Sequence, residues 1–266
     1  MIYLGKYKLL KNFISACDYD FLLKQIQQSI KDKRRLLVSP VASQTLAKAF
    51  FDKELETVLN NFDFLVPDSQ WIKRSIRFLY KVNFKNRVYG PTLMLKVCQF
   101  SEEKGYRIFL YGNTKEVLKK LGKKLRVLFP KILIVGLMPS VFRDLEENEF
   151  KDINMQLDSI KPNIVFVCLG SPAQEIFAFS LANSRRKDNK GIVIIPVGAA
   201  FDFISGVKPQ APIWIQESGF EWLFRLAKEP GRLWKRYLVY GALFVWLVFY
   251  QKLPLLSGRK NIFSKK

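Results

Sequence analysis

Residues 163–175 read Asn163-Ile164-Val165-Phe166-Val167-Cys168-Leu169-Gly170-Ser171-Pro172-Ala173-Gln174-Glu175. An uncharged run dominated by β-branched and aromatic residues enters a Gly-Ser turn, and Pro172 then stands where a helix begins. A run that apolar suits a strand of a parallel sheet covered on both faces. Working outward, comparable runs lie at 36–39, 62–67, 107–111, 132–137 and 192–197. Amphipathic stretches separate them. In 114–129, Val117, Leu118, Leu121, Leu125 and Leu128 recur at helical spacing opposite a lysine-rich face. The alternation predicts an α/β fold, Rossmann-like and doubly wound around a mainly parallel sheet.

Ligands of such sheets sit beyond the carboxyl ends of the strands. Three ends draw attention: Pro67 runs into Asp68-Ser69, Leu169 into Gly170-Ser171-Pro172, and Val197 into Gly198-Ala199-Ala200-Phe201-Asp202. A Gly or Ser turn before a helix leaves backbone N–H groups able to hold phosphate. The same turns also serve as ordinary helix starts. Neither GxGxxG nor GxxxxGK[ST] occurs, which argues against a dinucleotide fingerprint or a P-loop.

The chain of 266 residues is 49% apolar, which excludes a disordered chain and fits one large domain or one domain with an appendage. It contains no histidine, so Ser-His-Asp and Cys-His catalysis and HExxH metal sites are excluded together. Acid–base chemistry falls to Asp, Glu, Lys, Tyr or Cys. Cys17, Cys98 and Cys168 match no metal or disulfide spacing and read as small buried side chains in a reducing compartment. Lysines 6, 8 and 11 interrupt the first apolar residues, so no secretory leader is read and a cytoplasmic protein is the default.

With 44 Lys or Arg against 23 Asp or Glu, the net charge is +21, suited to nucleic acid, anionic lipid or phosphorylated small molecules. The C-terminal part carries a distinctive share. Residues 207–212 read as a connection, 213–228 as one amphipathic helix rich in Trp and Phe, and Glu229-Pro230-Gly231 as its break. From Gly231 onward there are eight Lys or Arg and no acid. Within this part, 238–250 is uncharged and too short to span a bilayer, which needs about 20 apolar residues. A core helix and an interfacial segment both fit the run, and the basic flank favours the interface. The expected organisation is a catalytic domain over 1–206 and a helical, basic and aromatic membrane-association appendage over 207–266. Removal of 238–266, with Lys252, Arg259, Lys260, Lys265 and Lys266, is expected to leave the α/β domain folded.

The motif Val197-Gly198-Ala199-Ala200-Phe201-Asp202-Phe203-Ile204-Ser205-Gly206 is followed by Ala211-Pro212, by Gly219-Phe220-Glu221-Trp222-Leu223-Phe224-Arg225-Leu226, by Glu229-Pro230 and by Arg232-Leu233-Trp234-Lys235-Arg236-Tyr237. Upstream stand Arg87-Val88-Tyr89-Gly90 and Gly170-Ser171-Pro172 with Gln174-Glu175. In this order they resemble the bacterial glycosyltransferases of the WecG/TagA/CpsF family over roughly residues 30–240. The resemblance implies a metal-independent, inverting transfer from a UDP-sugar to a lipid-linked, polyprenyl-diphosphate saccharide in cell-surface or exopolysaccharide synthesis, with no cofactor. It implies Asp68 as general base and Ser39, Arg87, Gly90, Gly170, Gln174, Gly198 and Asp202 on the donor, with Arg87 compensating diphosphate charge. Arg225, Arg232, Lys235 and Arg236 would meet the acceptor and the membrane.

The family's Asp-Gly pair is Asp68-Ser69 here, its Thr-x-Asn is Ser39-Pro40-Val41, and its Arg-Ala-Pro is Gln210-Ala211-Pro212. The implied setting is peripheral, on the inner face of the bacterial membrane, with an anionic surface as partner, no nucleic acid, and room for a homo-oligomer. Simpler roles stay open at this point: Asp68 as a helix cap, Asp202 as a turn cap, Arg87 as a surface charge. So do two other functions, a non-catalytic homologue that binds nucleotide sugar and a basic nucleic-acid-binding protein.

Overall fold

The computed structural model describes residues 1–84, 86–185 and 191–256, with side chains through Leu253. Arg259, Lys260, Lys265 and Lys266 of the basic tail lie outside the described residues. All six expected strands form: β3 (Leu36–Val41), β4 (Phe64–Pro67), β5 (Arg107–Gly112), β6 (Leu133–Met138), β7 (Ile164–Cys168) and β8 (Val193–Pro196). They make one parallel sheet in the order β4-β3-β8-β7-β5-β6. Ahead of them lies an unanticipated antiparallel hairpin of β1 (Tyr3–Leu9) and β2 (Asn12–Cys17).

Helices join the strands. In chain order they are α1 (Tyr19–Lys31), α2 (Ser43–Phe51), α3 (Lys53–Asn60), α4 (Gln70–Tyr80), α5 (Gly90–Lys104), α6 (Lys115–Leu128), α7 (Glu147–Ile160), α8 (Ala173–Ser184) and α9 (Ala200–Ile204). The C-terminal part holds α10 (Ile213–Ser218), α11 (Glu221–Lys228), α12 (Pro230–Trp234) and α13 (Tyr240–Leu256), with a π-helical turn at Lys235–Val239 before the last.

Period-two alternation explains why the strands are apolar throughout. In β7, Val165 and Val167 enter one core while Ile164, Phe166 and Cys168 enter the other. The first core is closed by α2, α3, α4, α7, α8 and α13, through side chains such as Leu46, Leu59, Ile76, Leu157, Leu181 and Leu247. The second is closed by α1, α5, α6 and α9, through Ile26, Val97, Leu121 and Phe201 among others. The three cysteines are buried and unpaired. Thr114 caps α6, its side chain accepting from the Val117 N–H, so the helical period seen in the sequence starts one residue after its cap.

The C-terminal part departs from expectation in two ways. Residues 213–228 form two helices because Gly219, at φ 86°, ends α10 in the left-handed region. Glu229 closes α11, and Pro230 at once opens α12, so the chain bends there and carries on helically. The run 238–250 then divides between two faces of α13. Phe244, Leu247 and Val248 are buried in the first core, while Trp246, Phe249, Tyr250 and Leu253 are exposed. Gln251, fully buried, accepts from the Leu10 N–H at 2.8 Å and donates to the Lys8 carbonyl at 2.9 Å. The last helix is thereby fastened to the hairpin at the start of the chain. The expectation that 238–266 can be removed from an intact core is overturned by this packing.

Candidate active site

The carboxyl ends of β3, β4, β5, β7 and β8 open on a cavity of about 670 Å³, whose far wall is built by α9, α11 and the turns around α12. Asp68 stands at its edge, directly after β4. Its backbone N–H donates to the Val41 carbonyl at 3.1 Å, continuing the β3–β4 pairing by one residue. The capping role falls to Ser69, whose hydroxyl accepts from the Ile72 N–H at 3.3 Å. Asp68 is therefore left for another task. Ser69, at φ −98°, adopts ordinary extended backbone that a side chain tolerates.

The Asp68 Oδ1 accepts from the backbone N–H of Gly90 at 2.9 Å. A Cβ on Gly90 would lie 3.0 Å from the Val197 carbonyl oxygen and 3.6 Å from Oδ1, so the absence of a side chain permits this close approach. Burial pushes the Asp68 carboxyl up to about 6, against the opposing pull of Arg87, the Gly90 N–H and Arg225. A carboxylate tuned so is mostly ionised at neutral pH and more basic than an ordinary aspartate.

Along the same cavity, Gly170 and Gly198 occupy the left-handed region, at φ 78° and 58°. Gln174 links the two turns: its Oε1 accepts from the Gly198 N–H at 3.0 Å, and its Nε2 donates to Glu175 Oε1 at 2.9 Å. Glu175 is only 1% exposed, and burial raises its carboxyl to about 7. Asp202 accepts from Asn113 Nδ2 at 2.9 Å and faces Lys208 Nζ at 3.8 Å. Asn113, at φ 60° at the end of β5, is a lining residue that the sequence did not single out.

Arginines complete the wall. Arg232 is paired with Glu229 at 2.7 Å, and Lys208 reaches the same carboxylate at 3.0 Å. The hydrogen bond from Arg232 leads in holding Glu229 down to about 2. Arg225 and Arg236 differ. Arg225 lies over the Phe203 ring and Arg236 over that of Tyr237, and among the described residues no ion pair reaches either guanidinium. Burial pulls the Arg236 pKa down. Arg236 also lies against the Gln44 side-chain amide, and two sheltered guanidiniums at one edge of the cavity suit the compensation of negative charge.

Arg87 sits on the other side of Asp68. It donates to the Asp68 carbonyl at 3.0 Å and to Glu221 Oε2 at 2.8 Å, and its guanidinium lies over the Tyr89 ring. The Tyr89 hydroxyl donates to the other Glu221 oxygen at 2.6 Å. Arg87 lines a second cavity of about 290 Å³, between α4 and the C-terminal helices, which shares Asp68, Arg225 and Arg236 with the first. Glu221 was not anticipated, since its partners lie 132 and 134 residues away.

The structure thus gathers Asp68, Gly170, Gln174, Gly198, Asp202, Arg225, Arg232 and Arg236 around one cavity. Gly90 stands behind Asp68, and Arg87 faces the second cavity. Two residues lie apart. Ser39 is fully buried within β3, which runs two residues beyond the expected end, and its hydroxyl has no partner among the described residues. Lys235 is exposed on the π-helical turn and lines neither cavity. Among the described residues no group of three Cys, Asp or Glu side chains is placed to hold a metal ion.

Comparison with known proteins adds to this geometry. A sequence model described as the glycosyl transferase WecG/TagA/CpsF family matches residues 7–257. The N-acetylglucosaminyldiphosphoundecaprenol N-acetyl-beta-D-mannosaminyltransferase of Bacillus subtilis (strain 168) is 31% identical over 209 residues, 79% of this chain and 77% of that protein. The protein of the same name from Bacillus spizizenii (strain ATCC 23059 / NRRL B-14472 / W23) is 28% identical over 191 residues, 72% of this chain and 70% of that protein.

Proposed function

The chain belongs to the glycosyl transferase WecG/TagA/CpsF family and is a glycosyltransferase, and from that premise we propose an inverting transfer from a UDP-sugar to a lipid-linked saccharide diphosphate, with Asp68 as general base. The observation that carries this reading is the placement of Asp68, Arg225 and Arg236 between two cavities, one rich in polar groups and one largely apolar. The two relatives are named for transfer to a diphosphoundecaprenol-linked sugar, and the paired cavities suit two substrates of that contrast.

In this reading the nucleotide sugar occupies the larger cavity. Asp202 and Asn113 meet its hydroxyls, and the turns at Gly170 and Gly198 approach its diphosphate. Arg225 and Arg236 compensate the negative charge that grows on the departing UDP, since preorganised cations are most effective where water is excluded. The acceptor hydroxyl approaches from the side of the second cavity. Asp68 takes its proton as the oxygen attacks the anomeric carbon, the glycosidic bond to UDP breaks, and the configuration inverts. Gln174 and the Gly90 N–H act as positioning groups, the first holding the Gly198 turn and the second the carboxylate.

The acceptor's lipid brings the reaction to a membrane surface. Among the described residues no helix is long and apolar enough to cross a bilayer. The exposed face of α13 instead offers Trp246, Phe249, Tyr250 and Leu253, and Phe249 meets Phe78 of α4 at a ring separation of 5.4 Å. Lys73, Arg74 and Arg77 lie on the same α4, so an apolar patch is flanked by cations, as in peripheral attachment to anionic lipid. The test is to supply purified protein with a panel of UDP-sugars and lipid-linked saccharide diphosphates and record UDP release. Release dependent on both substrates is the expected result, and its absence for every pair overturns the reading.

A further inference from the structure

Resting on the transferase reading, we propose that the smaller cavity receives the head end of the acceptor's isoprenoid tail, the first units beyond the diphosphate. Its wall is made by Trp71, Trp222, Tyr237, Leu238, Phe244 and Val245, from α4, α11, the π-helical turn and α13. The charged side chains Asp68, Arg87, Glu221, Arg225 and Arg236 also line it, with Arg87 hydrogen-bonded to both the Asp68 carbonyl and Glu221. Such a cavity selects a molecule that is apolar along its length and anionic at one end. A nucleotide sugar is polar throughout and has its match in the larger cavity. A polyisoprenyl diphosphate has the required asymmetry.

Size and surroundings agree. A volume of about 290 Å³ is at the lower limit for a small-molecule site, enough for the beginning of a long chain and not for all of it. The remainder has a route outward, because Leu238 of the wall is itself 52% exposed. The Trp222 indole N–H is buried with no acceptor among the described residues, and a diphosphate or sugar oxygen entering beside Arg225 would supply one. The tail would thus fix which hydroxyl of the acceptor sugar reaches Asp68.

Gly241 provides the test. It lines the cavity, and a Cβ built on it meets no heavy atom within 4 Å, so Gly241→Phe adds bulk without a backbone clash. Ala242→Leu, at the adjoining lining position, is the second variant. Binding of farnesyl diphosphate and of methyl diphosphate is read by tryptophan fluorescence, alongside UDP binding and a thermal melt. The expected result is tighter binding of farnesyl diphosphate than of methyl diphosphate by the unaltered protein. In both variants the farnesyl compound alone weakens, about tenfold or more, with UDP binding and melting unchanged.

Equal binding of the two diphosphates by the unaltered protein overturns the proposal. So does equal weakening of both in the two variants, or no weakening of either. Transfer assays separate this from the wider reading. Tail-dependent binding with no transfer from any UDP-sugar would discard the transferase mechanism and keep the cavity assignment. Transfer to a farnesyl-linked acceptor at unchanged KM in both variants would discard the cavity assignment alone.

Discussion

The Asp68 carboxylate is held by the backbone N–H of Gly90, while the helix cap beside it is left to Ser69. Replacement by the isosteric Asn keeps the shape and removes the proton acceptor, so Asp68→Asn is expected to lower kcat by about 10²–10⁴-fold, with UDP binding near normal. With its carboxyl near 6, kcat/KM should fall as pH drops through about 6, because the protonated acid cannot accept the acceptor's proton. Glu175 is raised to about 7 in the same cavity, so the limb near 6 should persist in Glu175→Gln and vanish in Asp68→Asn. Stability should move the other way. A carboxyl raised on folding favours the protonated native state, so its contribution is full below the unfolded pKa near 4 and is lost as pH rises through 6. Asp68→Asn should therefore melt a few degrees above the parent at pH 8, and the gap should close by pH 4, as calorimetry can show.

At the scale of elements, Glu221 at the start of α11 ties Arg87 and Tyr89 to the C-terminal helices through a pair whose side chains are only 12% and, for Arg87, 10% exposed. Removing one partner of so buried a pair strands the other, which costs about 3–5 kcal/mol. Glu221→Gln should lower the melting temperature, and a double-mutant cycle with Arg87→Ala should show strong coupling in chemical denaturation. Because Arg87 faces the second cavity, Arg87→Ala should raise the KM for acceptor more than that for UDP-sugar. Unchanged acceptor kinetics would detach it from that substrate.

These elements were unevenly legible in the sequence. The six parallel strands were readable because burial on both faces makes each an apolar run. The hairpin was not, since residues such as Tyr3, Leu4 and Phe13 remain exposed and β1 alternates with lysines. In the sequence Ser39 is the last residue of the run 36–39. In the fold β3 continues to Val41, and Pro40 lies beyond the last pairing with β8, at Leu37 and Ile194, where a missing N–H is tolerated. Asp68, Gln174, Gly198 and Asp202 were found from strand ends and motif order. Glu221 stands in the quoted motif with no role read for it, and Asn113 in none; both act through partners distant in sequence.

For the molecule as a whole, α13 joins core and exterior, so truncation and surface substitution should part company. Deletion of 238–266 removes Phe244, Leu247 and Val248 from the first core and should yield a protein without a cooperative melt. Combined Trp246→Ser, Phe249→Ser and Leu253→Ser changes touch only exposed positions. They should preserve the melt and release the protein from anionic liposomes in flotation, with residual binding that weakens as salt rises. Flotation undiminished in the triple variant would place membrane attachment elsewhere.

The clasp between Gln251 and the hairpin turn also sets an order in time. The Leu10 N–H finds its acceptor 241 residues further along the chain, so the hairpin is synthesised well before the helix that holds it. At bacterial synthesis rates of about 5–20 residues per second, the hairpin waits roughly ten to fifty seconds for that partner. Throughout that interval the core face awaiting α13 stays open and the second cavity lacks a wall. One helix, made long after the hairpin, thus supplies the last wall of the interior and of the second cavity together.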